Sequence, residues 1–156
     1  MPIHIKILAV GRRMPTWVTA GISDYKRRIN DINLEIIEVP QIKRSTSQPV
    51  SKAIAQEGAK LLSLIEREAY IIALDQTGQQ INSEQLADQL NQCIQNHQTL
   101  AFLIGGSDGL DLRCIEQSHA RWSISCMTLP HALARLILVE QLYRAWTILN
   151  KHPYHR

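Results

Sequence analysis

Two runs of five residues, 70–74 (Tyr-Ile-Ile-Ala-Leu) and 100–104 (Leu-Ala-Phe-Leu-Ile), contain no charged or amide side chain. Segments so short and so continuously apolar read as strands covered on both faces, the pattern of a parallel sheet with helices packed above and below it. The rest of the chain supplies the alternation that such a sheet needs. Ile3, Ile5 and Ile7 alternate before Leu8-Ala9-Val10 runs into Gly11, which predicts a first strand. Pro15 opens a helix whose Val18, Ile22, Tyr25 and Ile29 share one face. Residues 34–39 read as a second strand stopped by Pro40, and residues 41–49 as an exposed polar and basic loop. Val50, Ile54, Gly58, Leu61 and Ile65 mark the next helix. The strand at 70–74 is expected to end at Asp75-Gln76-Thr77-Gly78, and Ser83 to cap a helix carrying Leu86, Leu90 and Ile94. After 100–104, a Gly-rich turn leads to a short helix through Leu112 and Ile115, a last strand over 122–126, and a last helix over 131–149. The prediction is one α/β domain over residues 1–156, because no repeat, low-complexity segment or composition break divides the chain.

Several function classes fall away. No apolar run approaches the roughly 18 residues of a membrane span. The N-terminus lacks the basic segment of a signal peptide, and the odd set Cys93, Cys114 and Cys126 forms no CxxC, so reduced thiols in a cytoplasmic protein are expected. His152 and His155 are separated by Pro153 and no other cluster has ligand spacing, so no metal site is expected. There is no GxSxG, no P-loop GK[ST] and no GxGxxG after the first strand. Net charge is only +3, but residues 1–68 hold eleven Lys/Arg against seven Asp/Glu while residues 69–156 hold six against seven. The excess, at Arg12-Arg13, Lys26-Arg27-Arg28 and Lys43-Arg44, suits a polyanion or simply solvated loops and helix ends. Trp17, Trp122 and Trp146 are expected to fill core, and His131 to cap or pack at a helix start.

The carboxyl edge of the predicted sheet is where an open α/β fold binds ligands. Gly105-Gly106-Ser107-Asp108-Gly109 follows one strand and Ser125-Cys126-Met127-Thr128-Leu129-Pro130 another. Turns with so little side chain or with fixed backbone present main-chain groups to a flat ligand; alone, a Gly-Gly turn is only turn chemistry. The last helix is nearly apolar all round, so it must be covered either by a second subunit or by the rest of its own chain. Tyr154, His155 and Arg156 have no core to build; they read as a mobile tail free to stack on a base and bind phosphate, or as a frayed end.

The combination of Leu-Ile-Gly-Gly-x-x-Gly109, Met127-Thr-Leu-Pro-His131, Leu142-Tyr-Arg-Ala-Trp146, Asn150-Lys-His-Pro-Tyr-His155 and the early Ala9-Val10-Gly11…Met14-Pro15-x-Trp17 resembles the bacterial pseudouridine methyltransferases of large-subunit ribosomal RNA, of the SPOUT class. The resemblance runs the length of the chain. It implies a deep trefoil knot in the C-terminal half, which no periodicity would reveal. It also implies a homodimer, and S-adenosylmethionine held by Leu74, Gly105, Ile124, Ser125, Cys126, Met127, Thr128 and Leu129. The implied activity is methylation of ring nitrogen three of a pseudouridine in 23S RNA. The small net charge leads us to expect assembled ribosome rather than naked RNA as substrate.

Methyl transfer from a sulfonium demands alignment more than acid–base chemistry, since the leaving thioether is neutral. The acceptor imide must lose its proton, so His155 and Arg156 are the candidates for proton removal and anion stabilisation, with Tyr154 beside them. Arg144 is a candidate RNA contact, or the partner of Glu140 at i, i+4. A non-catalytic RNA-binding protein and a Rossmann-type oxidoreductase are the competing readings.

Overall fold

The computed structural model describes residues 2–155. Ten main elements alternate along it: β1 (Ile3–Val10), α1 (Thr16–Arg28), β2 (Ile32–Val39), α2 (Val50–Ser63), β3 (Tyr70–Gln80), α3 (Ser83–Gln95), β4 (Leu100–Ile104), α4 (Leu112–Gln117), β5 (Ala120–Ser123) and α5 (His131–Leu149), followed by a 3-10 turn at Pro153–His155. The strands form one sheet in the order β2-β1-β4-β3-β5, every neighbour parallel. β4 lies at the centre, and all five of its side chains are buried, as its unbroken apolar sequence requires. Helices α1, α3 and α5 cover one face, where Ile5, Ile7, Leu90, Phe102 and Leu142 pack together. On the other, α2 and α4 sit over Leu8, Val10, Leu61 and Leu103. The expected α/β architecture with helices on both faces is therefore present.

The differences from expectation are local and have physical causes. β3 does not stop at Leu74 but continues to Gln80, and β5 pairs with it in two registers, shifting between Leu74 and Gln79. Gly78 permits this: a Cβ there would sit 2.8 Å from the backbone of Arg121 and Trp122. β5 runs over Ala120–Ser123 rather than 122–126, so 124–129 is left outside the sheet. Asn82, not Ser83, caps α3, in a reciprocal box in which the Gln85 N–H donates to Asn82 and the Asn82 N–H donates to Gln85, both at 2.8 Å. Trp17 is not core; it is 58% exposed. The chain's own α1, α3 and C-terminal turn bury seven residues of α5 and leave the other twelve half-buried. Tyr154 is not loose; it packs back on Tyr143 with ring centroids 4.5 Å apart.

Two buried charges pin the layers. Arg135, the lone Lys, Arg, Asp or Glu in the first nine residues of α5, is fully buried; it donates to Glu38 at 2.7 Å and to the carbonyl of Gly11 at 3.2 Å. Glu57, on the buried face of α2 with Ala53 and Leu61, accepts from Arg44 at 2.6 Å and from the Ile42 N–H at 2.8 Å. Removing one member of such a pair strands the other charge in the interior. Arg44→Ala is expected to lower unfolding free energy by about 3 kcal/mol, from an uncompensated Glu57. Phe102→Ala, in the fully buried centre of the sheet, is expected to cost about 3–5 kcal/mol through lost contacts and a cavity. Urea denaturation with unchanged m-values would check both.

Candidate functional site

A cleft of about 760 Å³ opens past the C-terminal ends of β4 and β5, beside the middle of β3. Its walls are Leu74–Gln76 of β3, the Gly-rich turn 104–110, and the loop 123–131 leading into α5. Parallel strands deliver their following loops to the same edge of the sheet, so the cleft is a consequence of the topology.

Each wall has a local reason for its shape. The turn after β4 closes on itself, with the Gly109 N–H donating to the Gly106 carbonyl at 3.1 Å and Gly109 at φ +86°. A Cβ on Gly105 would lie 2.4 Å from the carbonyl carbon of Gly109 and 2.6 Å from the Leu110 nitrogen. Gly105 is thus required by the turn's own backbone, not only by the space a ligand would need. A Cβ on Gly109 would meet nothing within 4 Å. The 124–129 loop is held by side chains. Ser123 donates to the Ser125 carbonyl at 2.8 Å, the Met127 N–H donates to Ser125 Oγ at 2.9 Å, and Gln76 donates to Thr128 Oγ1 at 2.9 Å. These bonds fix the loop's shape by engaging the Ser125 and Cys126 carbonyls and the Met127 N–H. Met127 is 77% exposed there.

Two carboxylates line the cleft, and both are engaged. Burial opposes ionisation of Asp75, but hydrogen bonds from Thr77 and Arg121 outweigh it and hold its pKa below the ordinary carboxylate range. Asp108 in the Gly-rich turn accepts from Arg44 at 3.0 Å, the same guanidinium that satisfies Glu57. Gln41 adds a bond to Ser107 at 3.1 Å. The loop after β2 is thereby fastened to the turn after β4, and α2 anchors both.

Of the residues singled out from sequence, Leu74, Gly105, Ile124, Ser125, Met127, Thr128 and Leu129 all line this one cleft. Cys126 does not; its sulfur faces Gln80 at 2.8 Å and its carbonyl faces Gln76. His131, expected only to cap or pack, is part of the lining. Tyr154 and His155 lie outside the cleft of their own chain, and Arg156 lies outside the described residues. The Tyr154 hydroxyl donates to Glu140 at 3.1 Å, and Arg144 sits 5.0 Å from its ring while pairing with Glu140 at 2.7 Å. Burial, with hydrogen bonds to Tyr25 and Glu140, pushes the Tyr154 phenol well above its usual pKa. It therefore remains a donor at neutral pH and is unsuited to act as a base. Among the described residues no group of three His, Cys, Asp or Glu is placed to hold a metal, and no helix is long and apolar enough to cross a membrane.

Sequence reasoning missed the Arg44–Glu57–Asp108 chain and Arg135. The signals were present: a carboxylate at the i, i+4 position from buried Ala53, and one cation in a run of nine otherwise uncharged helical residues.

Comparison with known proteins places this geometry in a family. Residues 3–155 match the family model described as "Predicted SPOUT methyltransferase". "Ribosomal RNA large subunit methyltransferase H" of a Marinomonas species is 42% identical over 155 residues, 99% of this chain and 100% of that protein. The protein of the same name from Chromohalobacter salexigens is 44% identical over the same length and the same shares of both chains. The crystal structure of a probable methyltransferase from Bordetella pertussis superposes with a TM-score of 0.60 over 92% of this chain and 95% of that one, at 17% identity, a likeness of fold. With sequence matched from the first strand to the tail and the fold matched as well, the chain belongs to the SPOUT methyltransferase family.

Proposed function

We propose that residues 1–156 act as one catalytic domain that transfers a methyl group from S-adenosylmethionine to ring nitrogen three of a pseudouridine in 23S ribosomal RNA, as a cytoplasmic homodimer working on the ribosome. The observation that carries this reading is the cleft: seven of the eight residues that the family resemblance assigns to the cofactor line one cavity, in a chain that aligns end to end with relatives named for large-subunit RNA methylation. Its volume falls within the range of small-molecule sites. We take the connection in the C-terminal half to be knotted, as the family resemblance implies.

The cofactor supplies an electrophilic methyl on a sulfonium. Gly105 and the 124–129 main chain would hold the nucleoside against the sheet edge, with Leu74 and Leu129 as apolar walls. The N3–H bond of the acceptor breaks as the proton passes to His155 or to water. The deprotonated N3 would be the nucleophile toward the methyl that a bound cofactor would supply, its sulfonium becoming a neutral thioether. Arg156 stabilises the imide anion in this scheme. Tyr154 orients the tail through Glu140 and stays protonated. Because Tyr154 and His155 lie outside their own chain's cleft, we place the tail over the cleft of the dimer partner, with Arg144 holding it or an RNA phosphate.

Gly105→Ala is expected to break the turn and weaken adenosylmethionine binding at least tenfold by calorimetry, since the methyl would collide with the Gly109 carbonyl carbon. Unchanged affinity in a folded variant would remove the turn from the site. Deleting residues 154–156 should leave cofactor affinity within about twofold while methyl transfer falls by about two orders of magnitude or more, the scale of lost acid–base and anion stabilisation. The direction of action is read from a mixed dimer of wild type with a subunit lacking both tail and a working cleft. A tail acting across the interface leaves that dimer inactive; half the activity would show that it serves its own subunit.

A further inference from the structure

The connection from β1 to α1 carries an exposure that the fold does not explain. Trp17, in the first turn of α1, is 58% exposed, whereas Trp122 is buried and Trp146 half-buried. An indole held in water forfeits the large apolar contact that usually places it inside. Its neighbours Arg12 and Arg13 are also exposed, and neither forms a salt bridge or a side-chain hydrogen bond among the described residues. Arg13 has φ +63°, a conformation that non-glycine residues seldom adopt, so the loop holds its shape against a local preference. From the next strand over, exposed Lys43 extends the same edge. Residues 11–23 and 39–56 contain no Asp or Glu at all. The nearby carboxylates Glu38 and Asp108 are paired with Arg135 and Arg44, so among the described residues Arg12, Arg13 and Lys43 have no acidic partner of their own.

This patch borders the cleft. β1 lies beside β4, with Ala9 opposite Ile104. The methyl of Val10 is 3.1 Å from where a Cβ of Gly106 would lie, and His131 Nε2 is 3.5 Å from the corresponding point on Gly11. Gly106 and His131 both line the cleft. The loop that follows Gly11 starts at the cleft wall and leads outward to Trp17.

We propose that Trp17, Arg12, Arg13 and Lys43 form an RNA-docking patch, in which the indole stacks on an unpaired base flanking the modified nucleotide and the three cations hold the adjoining phosphates. Stacking on an exposed aromatic combined with backbone-tracking cations is how unpaired RNA is gripped. A second copy of this chain is the less favoured occupant. A two-fold contact built on this loop would bring two clusters of the same sign together, with no carboxylate in either segment to offset them. The inference rests on the proposed RNA methyl transfer, and its test separates the two.

The full-length protein, Trp17→Ala, Trp17→Phe and the double variant Arg12→Gln/Arg13→Gln are compared on ribosomes from a strain lacking the enzyme, with labelled methyl donor. Trp17→Ala should raise the ribosome KM by about tenfold, the scale of one lost base stack, with kcat and donor affinity within about twofold. Trp17→Phe should recover most of that loss. The double variant should flatten the slope of log binding constant against log salt by between one and two, the signature of two lost phosphate contacts. An unchanged KM in Trp17→Ala overturns the proposal. So does a change in its oligomeric state by light scattering, which would assign Trp17 to an interface between copies. If the wild type transfers no methyl to ribosomes, the proposed activity fails, and anisotropy with a fluorescein-labelled single-stranded RNA of about twelve nucleotides decides the patch. Weaker binding by Trp17→Ala than by wild type upholds it, and equal binding overturns it.

Discussion

Everything at the functional edge of this molecule depends on a single packing constraint, the burial of β4 on both faces. Leu100, Phe102 and Ile104 point into one layer, Ala101 and Leu103 into the other, and all five are buried, with Ile104 at the floor of the cleft. A strand in that position must be flanked by parallel neighbours and roofed by crossover helices. β4 stops at Ile104, level with Ala9 of β1 and Leu74 of β3, while β3 runs on to pair with β5 alone. The loops that follow are pushed to one edge, where the sheet can no longer satisfy their main chain. The cleft is built from what those loops leave open.

A row of loops would be a poor binding site if each moved independently. Here they are tied together. Arg44 links buried Glu57 to Asp108, Gln41 reaches Ser107, and Gln76 reaches Thr128. The Gly-rich turn is thus braced from α2 on one side, while the 124–129 loop is braced from the extension of β3 on the other. Buried charges carry a desolvation cost that geometry and added hydrogen bonds must offset. The Arg44 guanidinium does so by spending its donors on two carboxylates and on the Ile42 carbonyl. Arg135 plays a similar part between α5, the end of β2 and Gly11, at the opposite wall.

The C-terminal end joins the helical layer rather than the cleft. Glu140 receives both Arg144 and the Tyr154 hydroxyl, and Tyr143 provides the surface on which Tyr154 rests. The docking of Tyr154 on α5 fixes where the described chain leaves the helical layer.

Much of this was legible in the amino-acid order. Continuous apolar runs at 70–74 and 100–104 specify two-sided burial, alternation fixes β1, and the apolar spacing of α1 and α2 follows directly. The turn 105–109 and the segment 124–129 stand out because glycine, proline and small polar residues there cannot continue either adjoining element. What the sequence could not settle is long-range. The extension of β3 to Gln80 depends on Gly78 meeting the backbone of Arg121 and Trp122, more than forty positions away. The exposure of Trp17, the pairing of Arg44 with Glu57 and Asp108, and the docking of Tyr154 on Tyr143 are likewise set by which surfaces the sheet order brings together. Local pattern determines which residues must leave water; only the tertiary structure decides which partners meet them, because burial is nonspecific while hydrogen bonds and ion pairs require particular distances.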